Sequence, residues 1–261
     1  AGLSKRYTGV DTYNGQSAWV WNGSTTTLIG LRGSAQTGST GIQHSEPVSQ
    51  SDAGQVIGTS KRFVGASNNN GTDAWVWDGT ITKQIGFVGS SYTGSGGFQY
   101  SVPFFQNASG HVVGVTNRYT GVNNSNGADA WIWNGTTTTY IGLTGAGYLG
   151  ANGLRYSSPW LLNSFGHVAG TSFLYSDLEG GGGRAAWVWN GSGTTRIGLT
   201  DVPHTSDAGY AYSEPLFMNE SGQVVGLSWR LFPEGFTNGE SIWIWNGTDT
   251  VRVGLFGAPQ T

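Results

Sequence analysis

The sequence contains no cysteine, which excludes disulfide bonds and thiolate metal sites. Only 10% of its residues are charged and the formal net charge is −3, which argues against a nucleic-acid partner, since such partners call for clustered Lys and Arg. No stretch approaches the roughly 18 apolar residues of a membrane span. The chain instead has 45 glycines in 261 residues, a composition typical of short strands joined by Gly-rich turns.

A tetrapeptide with Trp at its second and fourth positions recurs five times along the chain. Its copies begin 56 residues apart, at Ala18, Ala74, Ala130, Ala186 and Ile242. Self-similarity at a fixed period indicates that each copy is one supersecondary unit and that neighbouring units bury each other. The sequence therefore predicts a single domain over residues 1–261.

Residues 101–143 show what one unit contains. Strands are predicted over 101–106, 111–119, 129–133 and 138–143, because these runs are rich in β-branched and aromatic residues. Asn134-Gly135 between the last two is a strong signal for a two-residue hairpin. Four antiparallel strands repeated radially form a propeller blade. We therefore predict an all-β fold, a five-bladed β-propeller of four-stranded blades.

The third strand of each unit has one bulky and one smaller face. Trp131 and Trp133 point to one side, whereas Ala130 and Ile132 point to the other. Such sheets can stack bulky side against small side, so that both faces are buried. A glycine recurs in the second strand, where a Cβ atom is expected to collide with a backbone or a Trp ring, at Gly2, Gly58, Gly114, Gly170 and Gly226.

One strand is missing from this pattern. A Ser-x-Pro first strand occurs only four times, around Pro47, Pro103, Pro159 and Pro215, whereas the other strands occur five times. One blade therefore lacks its first strand. Either that blade has three strands, or another chain or a region removed from this one fills the gap, because an unfilled edge is an open template for pairing.

The residues of the second and third strands resemble those of the HAF-type extracellular repeat. The run Asn219-Glu220-Ser221-Gly222-Gln223-Val224-Val225-Gly226-Leu227-Ser228, followed by Trp-x-Trp-Asn-Gly and then Gly-Leu, carries the resemblance. Trp stands here where that repeat has the Phe of its name. The resemblance implies an exported, propeller-like protein, and it supplies no catalytic residue.

The loop between the fourth strand and the next first strand carries the candidate ligand-binding residues. Loops on one rim of a propeller often carry function, because rigid blades fix their ends. Sugars stack their C–H faces on aromatic rings, and nearby carboxylates accept their hydroxyls. The alternative is that these rings pack between blades. The candidates are Tyr92, Tyr148 and His204 early in the loop, His44, Tyr100, Tyr156 and Tyr212 at its end, and the adjacent Glu46 and Glu214.

Two other groups of polar residues are weaker candidates. Arg6, Arg62, Arg118 and Arg230 share one repeat position, at which Leu174 is the exception. A ring of Arg could bind carboxylates or sulfates of an acidic polysaccharide. The alternative is that each Arg packs its stem on an aromatic ring. Asp73 and Asp129 precede the Ala-Trp strand without calcium-loop spacing, so no metal or other cofactor is predicted.

Three functions compete on this evidence. The first is a secreted, non-enzymatic binding module that recognises glycans through several rim sites. The second is a structural subunit of an extracellular filament, sheath or surface layer, self-associating through the missing strand. The third is an enzyme such as a polysaccharide lyase. It is disfavoured because catalysis usually needs one asymmetric constellation, and a strict repeat has no privileged copy.

Overall fold

The computed structural model describes residues 1–9, 11–63, 69–119, 125–175, 181–235 and 237–254. In these ranges the chain forms strands, tight turns and short 3₁₀ turns, which confirms the predicted all-β class. No helix in the described ranges is long and apolar enough to cross a membrane. The chain divides into two compact units, residues 1–140 and 141–261, called here the N-terminal and C-terminal units.

The described strands of the N-terminal unit form three antiparallel sheets. The first sheet contains β1 (Gly2–Thr8), β2 (Thr12–Trp21) and β3 (Thr26–Ile29). The second contains β4 (Gln43–Gln50), β5 (Val56–Lys61), β6 (Gly71–Trp77) and β7 (Thr82–Ile85). The third contains β8 (Gln99–Gln106), β9 (Val112–Tyr119), β10 (Ser125–Trp133) and β11 (Thr138–Tyr140).

The described strands of the C-terminal unit form two further four-stranded sheets. The fourth sheet contains β12 (Arg155–Leu162), β13 (Val168–Leu174), β14 (Gly183–Trp189) and β15 (Thr194–Ile197). The fifth contains β16 (Ala211–Met218), β17 (Val224–Leu231), β18 (Thr237–Trp245) and β19 (Thr250–Val253). All strands predicted over residues 101–143 are present, although β10 begins earlier, at Ser125.

The turn between the third and fourth strands differs in length from the prediction. β10 ends at Trp133 and β11 begins at Thr138, so the loop has four residues instead of two. The Oδ1 atom of Asn134 accepts hydrogen bonds from the backbone N–H groups of Thr136 and Thr137, at 3.1 and 2.9 Å. Gly135 takes a left-handed φ, 98°. The side chain of Asn134 thus closes the longer turn.

The glycine of the second strand lies beneath a tryptophan of its own sheet, as predicted. Gly58 pairs with Trp75 across β5 and β6. A Cβ atom at Gly58 would lie 2.3 Å from both the indole of Trp75 and the carbonyl oxygen of Glu46. The equivalent glycines of the third, fourth and fifth sheets show the same two obstacles, so glycine lets the indole lie flat on the strand.

Neighbouring sheets within a unit pack a bulky face on a small face. Trp75 of the second sheet contacts a cluster that contains Ala18, Val20 and Ile29 of the first. Trp131 packs in the same manner on the second sheet, and Trp243 on the fourth. Each enclosed indole removes roughly 150–250 Å² from water, about 4–6 kcal/mol before chain entropy is counted. This packing confirms the predicted arrangement of the two faces.

The first strand of a sheet begins alongside the preceding sheet. Residues Gln43 and His44 at the start of β4 pair in parallel with Gly15 and Gln16 of β2, and β4 then pairs antiparallel with β5. The approach is so close that a Cβ atom on Gly15 would lie 1.7 Å from the carbonyl oxygen of Gln43. β8 and β16 cross over in the same way. In these three cases the crossover places the end of the inter-sheet loop against the preceding third strand.

Candidate functional site

The early loop residues in the N-terminal unit lie at the end of 3₁₀ turns and reach into the following sheet. Gln36 ends the turn Ser34–Gln36, and its Nε2 atom donates a 2.6 Å hydrogen bond to Oδ2 of Asp73. Tyr92 ends the turn Ser90–Tyr92, stacks on Phe87 and donates from its hydroxyl to Oδ2 of Asp129 at 2.8 Å. Both side chains therefore tie one sheet to the next.

The shared arginine position completes these networks. The guanidinium Nη1 of Arg62 lies 2.9 Å from Oδ2 of Asp73, and Nε of Arg118 lies 3.6 Å from Oδ2 of Asp129. Both aspartates are buried, with side-chain exposures of 1% and 0%. Burial raises the pKa of Asp73 above its ordinary value, against the opposing effect of Arg62. The carboxylate is thus taken from water into contact with a cation and two amides, those of Gln36 and Gln84.

The early loop residues of the C-terminal unit have other surroundings. Tyr148 ends the turn Ala146–Tyr148 and is half-buried. At the position of Asp129, the fourth sheet has Ala185. His204 ends the turn Val202–His204, is fully buried, and bonds Asp201 through Nδ1. Its Nε2 atom has no hydrogen-bond partner among the described residues. A ligand in solution therefore has no access to the ring of His204.

The candidate residues at the end of the inter-sheet loop lie where the first strand crosses from the preceding sheet to its own sheet. His44 bonds Oε1 of Glu46 at 2.6 Å, and Gln16 donates to the same oxygen. The hydroxyl of Tyr212 donates to Oε2 of Glu214 at 2.7 Å. Both glutamates that we expected to accept sugar hydroxyls thus already accept hydrogen bonds from side chains of the protein. Tyr100 and Tyr156 are more open, with exposures of 38% and 37%.

The C-terminal unit contains a cavity of 760 Å³ beside two of these tyrosines. Its size is that of a small-molecule site. Tyr156 and Tyr212, both predicted, line it with four residues that we did not predict, Phe173, Tyr175, Arg184 and Tyr210. Leu174 contributes an apolar wall. The structure does not bring the predicted candidates Tyr92, Tyr100, His44 or Glu46 to this cavity, since its lining lies wholly within residues 150–212.

Two aromatic pairs line this cavity or lie directly behind its wall, one tilted at 38° and one stacked. The rings of Tyr156 and Phe173 have centroids 4.7 Å apart. Those of Tyr212 and Trp229 lie 4.0 Å apart and almost parallel, at 14°. Such pairs are stabilised beyond simple burial and have few rotatable bonds, so they hold flat apolar faces in fixed places.

A single cation lies between the two pairs. The guanidinium carbon of Arg184 lies 5.1 Å from the ring centroid of Phe173 and 5.8 Å from that of Tyr212, within range of a cation–π interaction. β14 holds Arg184 opposite Tyr212 in the parallel crossover with β16. Among the described residues no carboxylate lies within ion-pair distance of Arg184. The two rings therefore hold the guanidinium of Arg184 at the cavity.

Three tyrosine hydroxyls that line the cavity are held in the neutral form. Burial raises the pKa of Tyr175, Tyr210 and Tyr212 above 10, and for Tyr212 burial and the bond to Glu214 raise it to about 12. Arg184 opposes this rise at Tyr210 and Tyr212. These hydroxyls therefore remain hydrogen-bond donors far above neutral pH.

The residues that sequence analysis missed lie where the repeat is broken. The positions of Arg118 and Asp129 in the third sheet are occupied, 56 residues later in the fourth sheet, by Leu174 and Ala185. Arg184 takes the place of Thr72 in the second sheet and of Gln16 in the first. The exception at Leu174 was visible in the sequence, and Leu174 lines the cavity.

No protein-family model matches the chain, and no curated protein matches its sequence. The HAF resemblance therefore stays a prediction. Among solved structures, the chain is similar to the β-propeller domain of the trilobed protease from Pyrococcus furiosus, at 13% identity and a TM-score of 0.43. That match covers 83% of this chain and 53% of the protease domain, so this chain spans about half the length of that domain.

Two further solved structures are similar over nearly the whole chain. Aleuria aurantia lectin in complex with α-methyl-L-fucoside is 12% identical, with 97% of this chain and 76% of that chain covered and a TM-score of 0.32. A glycoside hydrolase is 10% identical, with 97% and 84% covered and a TM-score of 0.33.

These comparisons contradict the prediction that the chain is not an enzyme, because a protease domain and a glycoside hydrolase are among the similar structures. At these identities and TM-scores the likeness assigns no reaction to the chain. The premise of the prediction also fails on physical grounds. A strict repeat would have no privileged copy, but the aromatic cavity includes Phe173, Leu174 and Arg184, which differ from the residues at the equivalent positions of the other described sheets.

Proposed function

We propose that the protein binds carbohydrate, and that the cavity of the C-terminal unit is its principal site. The observation that carries the proposal is the two aromatic pairs, Tyr156–Phe173 and Tyr212–Trp229, with the guanidinium of Arg184 over the rings of Phe173 and Tyr212. The C–H face of a pyranose is flat and carries a weak positive polarisation. It therefore packs better on the negative face of an aromatic ring than on an aliphatic side chain of similar size.

The polar groups of the cavity favour a sugar that carries a carboxylate. Arg184 can donate two parallel hydrogen bonds to a carboxylate, a geometry that a neutral hydroxyl does not reproduce. The neutral hydroxyls of Tyr175 and Tyr210 supply donors to ring oxygens and hydroxyls. An acidic hexose, such as a uronic acid residue of a polysaccharide, thus matches both the apolar walls and the charge.

The proposal includes finer points. We place the five sheets as blades of one propeller over residues 1–261, with the protein outside the cell. The 56-residue recurrence supports the first point, and the resemblance to an extracellular repeat supports the second. The rim tyrosine Tyr100 offers a second, weaker contact, because it occupies the repeat position of Tyr212 and is exposed. Several contacts on one rigid scaffold would increase avidity.

The test is binding of a panel of neutral and uronate oligosaccharides to the full chain, measured by calorimetry. Tyr212→Ala removes one half of a stack, and Tyr100→Ala is the matched control at the same repeat position. We expect Tyr212→Ala to weaken binding by roughly 30-fold or more, the effect of losing a binding hot spot, and Tyr100→Ala to weaken it by less than about threefold. Absence of any saturable binding, or equal losses in both variants, would refute the assignment of this cavity.

A further inference from the structure

The second and third sheets each enclose a carboxylate at the same repeat position. In the third sheet, Asp129 is fully buried, accepts a 2.8 Å hydrogen bond from the hydroxyl of Tyr92 and lies 3.6 Å from Nε of Arg118. The second sheet repeats this arrangement around Asp73. The chain thus encloses an anionic group twice, each time between a donor from the preceding 3₁₀ turn and an arginine of the same sheet.

The fifth sheet keeps the arginine of this arrangement but not the carboxylate. The residues at the three equivalent positions of the fifth sheet and its preceding turn are Ser241, Arg230 and His204. A serine carries a hydroxyl where an aspartate carries a carboxylate, so its side chain is shorter and uncharged. Arg230 forms no ion pair with another described residue. The fifth sheet therefore retains the cation of this position without the carboxylate that neutralises it in two other sheets.

Strand alternation places Arg230 and Ser241 on one face of the fifth sheet. Ser228 pairs directly with Ser241 across β17 and β18, and Arg230 lies two residues beyond Ser228. Side chains that lie directly opposite across two strands share a face, as do side chains two residues apart in one strand. Arg230 and Ser241 therefore share a face, as their counterparts in the third sheet do.

His204 directs an unpartnered ring nitrogen into the protein. Its side chain is fully buried, and Nδ1 bonds Asp201, whose side chain is 63% exposed. Nε2 lies on the other side of the ring, so it is directed away from solvent. Nε2 and the Oγ atom of Ser241 are both buried and have no hydrogen-bond partner among the described residues. Because buried polar groups are ordinarily hydrogen-bonded, these two atoms mark a site for a polar species.

We propose that a small monovalent anion, of the size of formate, binds between His204, Ser241 and Arg230. It takes the place that the carboxylate of Asp129 has in the third sheet. The protonated imidazole donates from Nε2, the serine hydroxyl donates a second hydrogen bond, and the guanidinium supplies the opposite charge. Charge balances locally, because Asp201 compensates the imidazolium and the anion compensates Arg230. Water is the uncharged competitor, and it requires neither the guanidinium nor the protonated ring.

The enclosure of the site determines how an anion enters it. No ligand in solution reaches the ring of His204 in the closed structure, so entry requires local opening of the turn Val202–His204. That turn has three residues, and Val202 is 88% exposed, features of a segment that opens at low cost in free energy. A bound anion is therefore expected to exchange slowly with the solution.

The test is titration of the full chain with isotope-labelled formate, followed by NMR at about pH 5.5, where imidazole ordinarily carries its second proton. The chain has four histidines, so the ring signals of His204 are assigned by their loss in His204→Gln. The other three histidines serve as references and show that each variant is folded. We expect a second set of His204 signals whose fraction saturates with formate, together with a signal from bound formate.

Three variants separate a specific site from a general effect of salt. Ser241→Asp supplies the carboxylate within the chain, as in the third sheet, and should abolish formate binding. Arg230→Gln should weaken formate binding by at least about tenfold, because it removes the cation. Arg196→Gln removes an exposed charge from β15 and should change the affinity by less than about twofold.

Two results would overturn the proposal. His204 signals that stay unchanged up to high millimolar formate would assign the two buried atoms to water alone. Formate affinity that is equal in the unsubstituted protein and in Ser241→Asp or Arg230→Gln would place the anion elsewhere. Both results leave the aromatic cavity untested, because none of these substitutions changes a residue of its lining.

Discussion

The third and fourth sheets have opposite kinds of residue, charged and apolar, at the same two repeat positions. In the third sheet, Arg118 and Asp129 form a buried polar contact that Tyr92 joins. In the fourth, Leu174 and Ala185 stand at those positions, and Leu174 lines a cavity of 760 Å³. A buried ion pair contributes little net stability, because desolvation offsets the attraction. Replacing it by small apolar residues is therefore tolerated, and it provides the space in which a site can form.

The largest effect is expected from breaking the buried network of the second sheet. Asp73→Ala leaves the guanidinium of Arg62, whose side chain is 12% exposed, without its counter-charge. We expect a loss of about 3–5 kcal/mol of unfolding free energy, measured by urea denaturation. The control is Arg62→Leu with Asp73→Ala, which copies Leu174 and Ala185 and should be clearly more stable than the single variant. Equal losses would attribute the cost to the cavity left by the carboxylate.

A second experiment makes the fourth sheet resemble the third. Leu174→Arg together with Ala185→Asp places a long side chain in the wall of the cavity and supplies its counter-charge. We expect carbohydrate affinity to fall by roughly 30-fold or more, with the unfolding midpoint little changed, as calorimetry and thermal unfolding would show. Leu174→Met, which conserves volume, should leave the affinity nearly intact. Full affinity in the double variant would place the ligand elsewhere.

A smaller effect is expected from removing the cation alone. Arg184→Gln should reduce the preference for a uronate over its neutral counterpart by about tenfold, or about 1.4 kcal/mol, while binding of the neutral sugar changes little. Arg196→Gln lowers the net charge equally at an exposed position of β15 and should not alter the preference. A similar change in both variants would indicate a general electrostatic effect.

The smallest effect is expected from alkaline pH. Because burial raises the pKa of Tyr175, Tyr210 and Tyr212, these hydroxyls stay protonated as the pH rises from 7 to 9.5. We expect the affinity of the cavity to change by less than about twofold over that range, measured by titration at each pH. A loss with a midpoint near pH 9 would show that a hydroxyl in the site ionises in its ordinary range or below it.

Sequence periodicity was sufficient to predict the parts of the fold that every copy shares. The position of Gly58 beneath Trp75, and the contact of Trp75 with Ala18 and Val20, follow from two-residue alternation and the size of the indole. The predicted length of the turn between the third and fourth strands was wrong. The side chain of Asn134 accepts hydrogen bonds from two backbone amides and so permits a longer loop.

The candidate site was predicted only in part, because residues that the copies have in common form only part of its lining. Tyr156 and Tyr212 occupy a repeat position that the copies share, and both line the cavity. Phe173 and Arg184 do not, and their positions depend on the parallel crossover between β14 and β16, which alternation along one strand does not reveal. The more useful signal in the sequence was Leu174, the residue at which the repeated arginine is interrupted.

The hairpin tips between the third and fourth strands make the molecule a regular display scaffold. Each tip is closed by the side chain of its leading residue, as at Asn22, Asp78 and Asn190, and the core is not involved. The glycines there, Gly23, Gly79, Gly135, Gly191 and Gly247, have no neighbouring atom within 4 Å of an added Cβ. New sequences grafted at these tips would thus be presented at regular intervals of 56 residues along one chain, with the tryptophan layers beneath them unaltered.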